Sequence, residues 1–226
     1  MSEMLCVNKK TKVLVYGASG HALVVAEIIN QSKSYEIAGF LDDINAHHYG
    51  MSLCGSYILG GKECLDEFLS KGISSIIVAI GDCSVRRRIS LEVKSRGFSL
   101  ITCIHPSAVI ASDVLIGEGT VIAAGAVISV GAKLGNAVIV NTAATIDHEC
   151  NISDGVHIGP GVSMGGLVTI GEMAWVGVGA AISDRISIGK CSIIGAGSVV
   201  VKDIDDGVVA FGCPAKAIRK VDESSE

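Results

Sequence analysis

The sequence predicts two domains of different fold class: a small α/β domain over residues 1–103 and a parallel β-helix over residues 104–226. Two observations predict this. An aliphatic residue recurs at every sixth position from Ile104 to Val200, seventeen times without a break, and apolar strands alternate with amphipathic helices before it. A period of six fits neither an α-helix nor an amphipathic strand. It is typical of a hexapeptide β-helix, in which three short strands form one coil of about eighteen residues.

The composition agrees with a narrow solenoid and excludes several function classes. Aromatic residues make up only 4% of the chain, whereas glycine occurs 28 times, which suits an interior of Ile and Val with tight corners. The net charge of −5 argues against a nucleic-acid partner. The eight cysteines are scattered without a CxxC pair, as expected of reduced thiols in a cytoplasmic protein. We expect no signal peptide at the start and no membrane span.

The pattern of the first domain predicts a small parallel sheet, because its strands alternate with helices. A loose leader over residues 1–11 precedes it, and the last six residues of the chain are expected to fray. The join to the β-helix falls at His105-Pro106, since proline forces the residue before it into extended geometry. The predicted strands and helices are, in order, strand Lys12–Tyr16, helix Ala22–Gln31, strand Glu36–Phe40, helix Lys62–Lys71, strand Ser75–Ile80, helix Val85–Arg96 and strand Ser99–Cys103.

The residues that follow three strands of this domain predict a binding site for a nucleotide-type ligand. The first strand turns through Gly17-x-x-Gly20 into a helix, which places backbone N–H groups and a positive helix end at the sheet edge. The turn lacks the third glycine of the dinucleotide fingerprint, so by itself it also fits a merely tight turn. Asp42-Asp43 and Gly81-Asp82 end the next two strands at the same Rossmann-like edge, and the convergence favours the nucleotide. The triplet 86–88, Arg-Arg-Arg, fits either a solvated helix face or a nearby phosphate.

His148 is the candidate general base of the β-helix. The six-residue register directs Ile146 and Cys150 inward, so His148 should project from a corner, and an imidazole there can remove a proton from an amine or hydroxyl. Glu149 could raise its basicity, although consecutive strand side chains point to opposite faces unless the chain bends. A solvated corner histidine is the alternative. One coil further on, Gly166 should leave room for a ligand and offer an N–H to a developing oxyanion.

His157 raises the question of a metal. It lies half a coil from His148, and residues from two chains of a symmetric trimer can share one cleft. A catalytic zinc would need three histidine ligands and an open position. Because the repeat has no closely spaced histidine pair, we expect no metal. Cys150 is expected to be core rather than a nucleophile.

These residues resemble the sugar O-acyltransferase family of hexapeptide-repeat acetyltransferases, which joins a small nucleotide-binding domain to a left-handed hexapeptide β-helix. Within it, the sequence is most similar to UDP-4-amino-sugar N-acetyltransferases of the bacillosamine pathway, with sialic acid O-acetyltransferases and perosamine N-acetyltransferases as relatives. The similarity covers about residues 12–218. Its anchors are the motifs at 16–21 (Tyr-Gly-Ala-Ser-Gly-His), 40–43 (Phe-Leu-Asp-Asp), 79–82 (Ala-Ile-Gly-Asp), 104–106 (Ile-His-Pro), 141–142 (Asn-Thr), 148–150 (His-Glu-Cys) and 212–216 (Gly-Cys-Pro-Ala-Lys).

The resemblance implies a homotrimer with active sites at subunit interfaces and acetyl-CoA as the donor. It implies that His148 is the base, that Glu149 raises its basicity and that Asn141 lies near the accepting amine. The chain departs from these relatives at two positions. Ala22 stands where relatives often have Gly, and its methyl group could narrow the pocket near the nucleotide. Asp82 stands where some relatives have Asn. The remaining implied contacts are Ser19, Gly20, His21, Asp42, Asp43 and Gly81 for the nucleotide sugar, and His157, Val178 and Ala196, together with the glycine at 166, for acetyl-CoA.

The predicted function is acetyl-CoA-dependent N-acetylation of the 4-amino group of a UDP-linked amino-deoxy sugar in bacterial glycan biosynthesis. The alternatives are O-acetylation of sialic acid or a related sugar, and N-acetylation of a GDP-perosamine-type sugar. A trimeric scaffold that binds a nucleotide sugar without catalysis is the alternative from another class. Because no loop interrupts the hexapeptide register, we expect the α/β domain to hold the acceptor.

Overall fold

The computed structural model describes residues 10–221. Most of the expected leader and all but the first residue of the expected frayed tail therefore lie outside the described residues. Within the described residues, no helix is long and apolar enough to cross a membrane.

The first domain is a mostly parallel six-stranded sheet with helices on both faces. Its strands lie in the order β3-β4-β2-β1-β5-β6. Short 3₁₀ turns cover Ala46–His48 and Lys62–Cys64. The elements are β1 (Thr11–Tyr16), α1 (Gly20–Ser32), β2 (Tyr35–Leu41), β3 (Ser52–Leu53), β4 (Ser56–Gly60), α2 (Leu65–Ser70), β5 (Ser75–Val78), α3 (Cys83–Ser95) and β6 (Ser99–Leu100).

The predicted helices and strands are present, with differences at their ends. The helix predicted over 62–71 begins as the 3₁₀ turn and is α-helical over Leu65–Ser70. The strand predicted over 75–80 ends at Val78. The strand predicted over 99–103 ends at Leu100. Cys103 pairs with Val121 of the next coil and not with the α/β sheet, so it belongs to the β-helix.

The hairpin formed by β3 and β4 was not predicted. It extends the sheet beyond β2, with β4 parallel to β2 and antiparallel to β3. Its turn consists of Cys54 and Gly55, both with positive φ (46° and 81°). A two-residue turn of this kind is usually marked by Asn-Gly or Asp-Gly. Because a cysteine occupies the first position, the sequence carried no recognisable hairpin signal.

The second domain is a parallel β-helix of two-residue strands. Each strand pairs with the one eighteen residues later, as Val121 pairs with Ile139, and the strands form three flat faces. We name them the first face (β7 Cys103–Ile104, β10 Val121–Ile122, β13 Ile139–Val140, β16 His157–Ile158, β19 Trp175–Val176, β22 Ile193–Ile194), the second face (β8 Val109–Ile110, β11 Val127–Ile128, β14 Thr145–Ile146, β17 Ser163–Met164, β20 Ala181–Ile182, β23 Val199–Val200) and the third face (β9 Leu115–Ile116, β12 Lys133–Leu134, β15 Asn151–Ile152, β18 Thr169–Ile170, β21 Ser187–Ile188).

The interior of the β-helix is the predicted ladder of aliphatic residues. The second residue of nearly every strand points inward and joins one continuous apolar core with the small residues at the corners. Ile146, Ile158 and Ile170, one on each of the three faces, are all buried. The hexapeptide period therefore produces the core directly, because each sixth residue returns to the axis of the coil.

The chain ends in a hairpin that extends the first face. β24 (Val208–Gly212) pairs with β22 in parallel, and β25 (Ala215–Lys220) returns antiparallel to β24. The buried side chains of Val208 and Ala210 close the end of the core.

The two domains share an apolar core. Helix α1 packs on the first face, where Val121 and Ile139 join Val25, Ala26 and Ile29 in a single buried cluster. The outward side chains of this face from Cys103 to His157 are therefore buried by the α/β domain, whereas Trp175, one coil further on, is 40% exposed. Most outward residues of the other two faces are exposed. This packing fixes the position of the sheet edge that carries the glycine turn relative to the coils.

We expect the Ile170→Ala variant to lower the free energy of unfolding by about 2–5 kcal/mol, because it leaves a cavity in a close-packed interior. The preceding residue supplies the control: Thr169 is exposed on the third face, and Thr169→Ala should change stability by no more than about 0.5 kcal/mol. Urea unfolding measures both. Similar losses in the two variants would contradict the assignment of inward and outward positions.

Candidate active site

His148 projects from the corner between the second and third faces. It lies in the turn between β14 and β15, and 47% of its side chain is exposed in this chain. The outward orientation is the one that the register predicts. The carboxylate of Asp147 accepts a hydrogen bond from the His148 backbone N–H at 2.7 Å, which stabilises the turn.

Glu149 reaches the imidazole of its neighbour because the chain bends between them. Its backbone has a φ of 56°, in the left-handed region, and its Oε2 lies 3.2 Å from Nδ1 of His148. A carboxylate can only accept, so Nδ1 carries the proton and Nε2 presents a lone pair. This arrangement is that of a general base held in one tautomer.

The left-handed position at Glu149 belongs to the repeat. Gly131, one coil earlier, and Gly155, at the next corner, occupy the same place in the repeat, also with positive φ. Glycine is favoured there because it has no Cβ penalty. The glycines at this six-residue spacing were the signal, not used in the prediction, that residue 149 would bend the chain.

Gly166 lies directly against His148, as the eighteen-residue spacing predicts. A Cβ added at Gly166 would overlap Nε2 of the imidazole. The room at this glycine is therefore occupied by the base itself and not kept for a ligand. Among residues 10–221 the Gly166 N–H donates to no other group, while its carbonyl accepts from the Arg185 N–H at 2.9 Å. The oxyanion role of this N–H remains a prediction.

His157 is buried where the first face meets the α/β domain. Its ring is 7% exposed, with Nδ1 3.2 Å from the carbonyl oxygen of Gly81 and Nε2 3.3 Å from the amide nitrogen of Asn141. Trp175, one coil further on, stacks on it with ring centroids 5.2 Å apart. Both ring nitrogens are engaged within the chain. The contact with acetyl-CoA that the resemblance implies for His157 stays a prediction.

The hydrogen bonds around His157 determine which of its ring nitrogens donates and which accepts. The Thr142 N–H donates to Oδ1 of Asn141 at 2.8 Å, so the Asn141 amide nitrogen faces His157. Nε2 of His157 must then accept, and Nδ1–H donates to the Gly81 carbonyl. Burial and, after it, the nearby Arg86 charge lower the pKa of His157 to about 4. The ring is a neutral structural link and not a second base.

The glycine turn at the start of α1 is open, as a ligand site requires. Ser19 occupies the N-cap position without a side-chain hydrogen bond to the helix, and a Cβ at Gly20 would meet no atom within 4 Å. The ring of His21, the next residue, lies 6.3 Å from that of His157 between centroids. Burial, and then the electrostatic effect of His157 and Arg86, lower the pKa of His21 to about 4.

Ala22 is wholly buried in the shared core, so the expectation that it narrows the pocket is wrong.

The two aspartates at the end of β2 hold the protein's own loops. Asp42 accepts hydrogen bonds from the backbone N–H groups of Ile44 and Asn45. Burial alone would raise the pKa of Asp42, but these bonds and those from side chains outweigh it, and the pKa is lowered. Asp43 accepts from the Tyr16 hydroxyl and from the Lys62 N–H. A carboxylate already engaged in this way has less capacity for a ribose or base than the sequence suggested.

Val178 and Ala196 lie in successive coils at a different corner, between the first and second faces. Asn141 lies near the same corner. Within one chain the structure does not bring these residues together with His148. Beside His148, an open groove of about 460 Å³ is lined by the exposed side chains of Val109, Val127 and Val130, among others.

The three consecutive arginines have three different environments. Arg86 is wholly buried and donates to backbone carbonyls of both domains. Arg87 forms an ion pair with Asp154 at 2.7 Å, and Arg88 is exposed on the surface of α3. Arg86 therefore fits neither interpretation of the triplet, which was expected to be a solvated helix face or a phosphate site. Asp82, next to it, caps α3 by accepting from the Val85 N–H.

The described residues form no metal site, and Cys150 has the environment of a core residue. No group of three or more His, Cys, Asp or Glu side chains in residues 10–221 is arranged to hold a metal ion. Cys150 is buried, and its thiol donates to the Gly165 carbonyl at 3.2 Å. Burial raises the pKa of this thiol, which disfavours the thiolate that a nucleophile needs.

A Rossmann-like domain packed on a hexapeptide β-helix, with an oriented histidine at a corner of the coil, is the architecture of hexapeptide-repeat acetyltransferases. Residues 12–93 match the PglD N-terminal domain. The acetyltransferase domain of PglB from Neisseria gonorrhoeae is 40% identical, with a TM-score of 0.87 over 92% of this chain and 100% of that one. PerB from Caulobacter crescentus, solved with CoA and GDP-perosamine, is 37% identical, with a TM-score of 0.87 over 92% of this chain and 97% of that one.

The chain belongs to this family of acetyl-CoA-dependent sugar N-acetyltransferases. The predicted enzyme class and fold, including the left-handed β-helix, are confirmed. UDP-N-acetylbacillosamine N-acetyltransferase from Bacillus subtilis is 37% identical over 110 residues, 48% of this chain and 49% of that protein. Galactoside O-acetyltransferase from Lactococcus lactis is 49% identical over 53 residues, 24% of this chain and 26% of that protein. The matches thus span about half or less of these curated relatives.

We expect Gly166→Ala to displace the His148 imidazole, because the added methyl overlaps Nε2. Turnover should fall by about 10²-fold or more while acetyl-CoA binding changes little. Steady-state kinetics and calorimetric titration with acetyl-CoA measure the two effects. In the His148→Ala background the same substitution should cost little further activity, because the group it displaces is gone. Additive losses in the double variant would contradict this explanation.

Proposed function

We propose that this enzyme transfers the acetyl group of acetyl-CoA to the 4-amino group of a UDP-linked amino-deoxy sugar in bacterial glycan biosynthesis. The observation that carries the proposal is the oriented base: His148 with Nδ1 held by Glu149 and Nε2 bare beside the unused N–H of Gly166. The nucleotide is proposed from the match to the PglD N-terminal domain and from the bacillosamine relative.

The reaction needs one base and one oxyanion donor. The acceptor amine attacks the thioester carbonyl, and Nε2 of His148 accepts the proton that the amine loses. The Gly166 N–H stabilises the oxygen of the tetrahedral intermediate. The carbon–sulfur bond then breaks, and the proton on His148 passes to the departing CoA thiolate. Glu149 stabilises the imidazolium while it carries that proton. No covalent enzyme intermediate forms.

We propose that the active enzyme is a homotrimer, since one chain leaves the site incomplete. His148 lies at one corner of the prism, and Asn141, Val178 and Ala196 lie at another. The second face, between these corners, presents small or apolar outward residues such as Val127 and Ala181. The third face presents polar ones such as Lys133, Asn151 and Thr169. Packing through the second face would bring the base of one chain to the acceptor side of its neighbour.

The substrate residues divide between the domains in this proposal. The open N-terminus of α1 at Ser19, Gly20 and His21 receives the phosphates or the sugar, as helix N-termini do. Asp42, Asp43 and the Gly81 loop form the rest of the nucleotide-sugar pocket. Asn141 lies next to the accepting amine, and Val178 and Ala196 line the path of acetyl-CoA.

A GDP-linked 4-amino sugar is the second candidate acceptor. It is supported by PerB, which was solved with GDP-perosamine and aligns with 92% of this chain. Sugar O-acetylation has weaker support, because the O-acetyltransferase relative matches only 24% of the chain.

A panel of acceptors distinguishes these candidates. The enzyme is incubated with acetyl-CoA and UDP-4-amino sugars, GDP-perosamine or sialic acid, and CoA release is followed. We expect kcat/KM for a UDP-4-amino sugar to exceed that for the other acceptors by about tenfold or more. Faster release with GDP-perosamine would replace the first candidate by the second, and no release with any amino sugar would exclude both.

We expect His148→Ala to reduce kcat by about 10²–10⁴-fold with acetyl-CoA binding nearly unchanged, because only proton transfer is lost. Cys150→Ala is the matched control two residues along the chain: it removes a buried thiol and should retain most of the activity. Release of CoA measures both. An inactive Cys150→Ala variant that still folds would point instead to a covalent, ping-pong route.

A further inference from the structure

Arg86 is the one member of the arginine triplet that lies wholly inside the protein. It sits on α3 where the α/β domain meets the β-helix, with no exposed surface. Among residues 10–221 no carboxylate forms an ion pair with it. Its hydrogen-bond acceptors are instead the carbonyl oxygens of Ile80 (2.9 Å), Gly81 (2.8 Å), Asp82 (3.2 Å), Ala137 (2.8 Å), Gly155 (2.7 Å) and Val156 (3.3 Å).

These acceptors belong to two parts of the molecule. Nη1 donates to loop 80–82 of the α/β domain, while Nε and Nη2 donate to two turns of the β-helix. The planar guanidinium thus joins the loop to the coils in a fixed geometry, which the single ammonium of a lysine cannot reproduce. Burying an unpaired charge is costly, and apolar packing would hold two domains together at least as well. The retained charge points to a need for exact placement of the loop.

The loop that Arg86 holds is directly connected to the candidate site. The Gly81 carbonyl accepts from Nη1 of Arg86 and also lies 3.2 Å from Nδ1 of His157. His157 in turn accepts from the amide nitrogen of Asn141, whose oxygen is engaged by the Thr142 N–H. Moving the Gly81 carbonyl would release His157 and then the amide of Asn141.

We propose that Arg86 is a positioning residue for acetyl transfer: by holding the Gly81 carbonyl, it keeps His157 in the Nδ1-protonated neutral tautomer and keeps the Asn141 amide in one orientation. The inference rests on the proposed function in one respect, the place of Asn141 next to the accepting amine. The expected kinetic effect therefore falls on the acceptor and not on acetyl-CoA.

The electrostatic environment of His157 agrees with a permanently neutral ring. The titratable or charged groups facing it are His21 on α1 and Cys83 and Arg86 on α3. Burial is the main cause that lowers the pKa of both histidines to about 4, and the Arg86 charge adds to it. Since both values lie below the ordinary 6.5, the rings stay neutral as the pH falls from 8 to about 5.

Trp175 provides a reporter for this arrangement. It is the single tryptophan of the chain and stacks on His157 at an interplanar angle of 10°. A protonated imidazole quenches indole fluorescence, so the emission of Trp175 follows the charge of His157. We expect wild-type emission to stay flat between about pH 5 and 8. In Arg86→Met a quenching transition should enter that window, with a midpoint at least about one pH unit higher.

Kinetics with Arg86→Lys separate positioning from charge. This variant keeps the cation but loses the bridge, so we expect the acceptor KM to rise about tenfold or more, with the acetyl-CoA KM within about twofold of wild type. Arg88→Met, on the same helix but exposed, is the control and should match wild type in both experiments. A folded Arg86→Lys with wild-type kinetics, or with equal losses for both substrates, overturns the proposal.

A measurement on the wild-type protein covers the case in which the Arg86 variants do not fold. ¹⁵N chemical shifts of His157 identify its tautomer directly. A protonated Nδ1 with a bare Nε2 supports the proposal, and the opposite tautomer or an average of the two overturns it. The fluorescence and NMR measurements require no turnover. A wild-type enzyme inactive on every acceptor would therefore count against the proposed function while leaving the tautomer test decisive.

Discussion

The closure of each coil after eighteen residues is the constraint on which this molecule depends. It requires a small or aliphatic side chain at each inward position and a backbone able to turn at each corner. The inward positions form one continuous core, in which Ile146, Ile158 and Ile170 represent the three faces. Everything that the coils present outward is consequently placed by counting: His148 and Gly166 meet because they are one coil apart.

The corners of the coil also bring Glu149 against the imidazole of His148. A left-handed residue occurs at every corner from Gly119 to Gly197, and at one of them it is Glu149, with φ at 56°. A backbone in this region costs a non-glycine residue about 1 kcal/mol or more. In return, the carboxylate turns back toward Nδ1 of His148, which no regular strand would allow. The side chains of His148 and Glu149, adjacent in sequence, are thus in contact because the backbone bends between them.

The contact between the domains combines two kinds of interaction with different roles. The apolar surface that α1 shares with Val121 and Ile139 favours association but tolerates small displacements. The guanidinium of Arg86, with carbonyl acceptors on both sides, allows one arrangement only, since misplacement would leave a buried charge without partners. The buried histidine link between Gly81 and Asn141 depends on that arrangement.

The sequence by itself determined the β-helix, its inward ladder, the outward position of His148 and its alignment with Gly166, because a strict period converts residue numbers into positions. It also determined most helices and strands of the α/β domain, since their hydrophobic patterns are local. Only the tertiary structure decided that Asp42 is engaged within its own loop, that His157 is buried by a second domain, and that Arg86 lies inside rather than on a helix surface. Each of these outcomes depends on groups distant in the chain, such as the Gly155 carbonyl for Arg86, and no local pattern encodes a partner so far away.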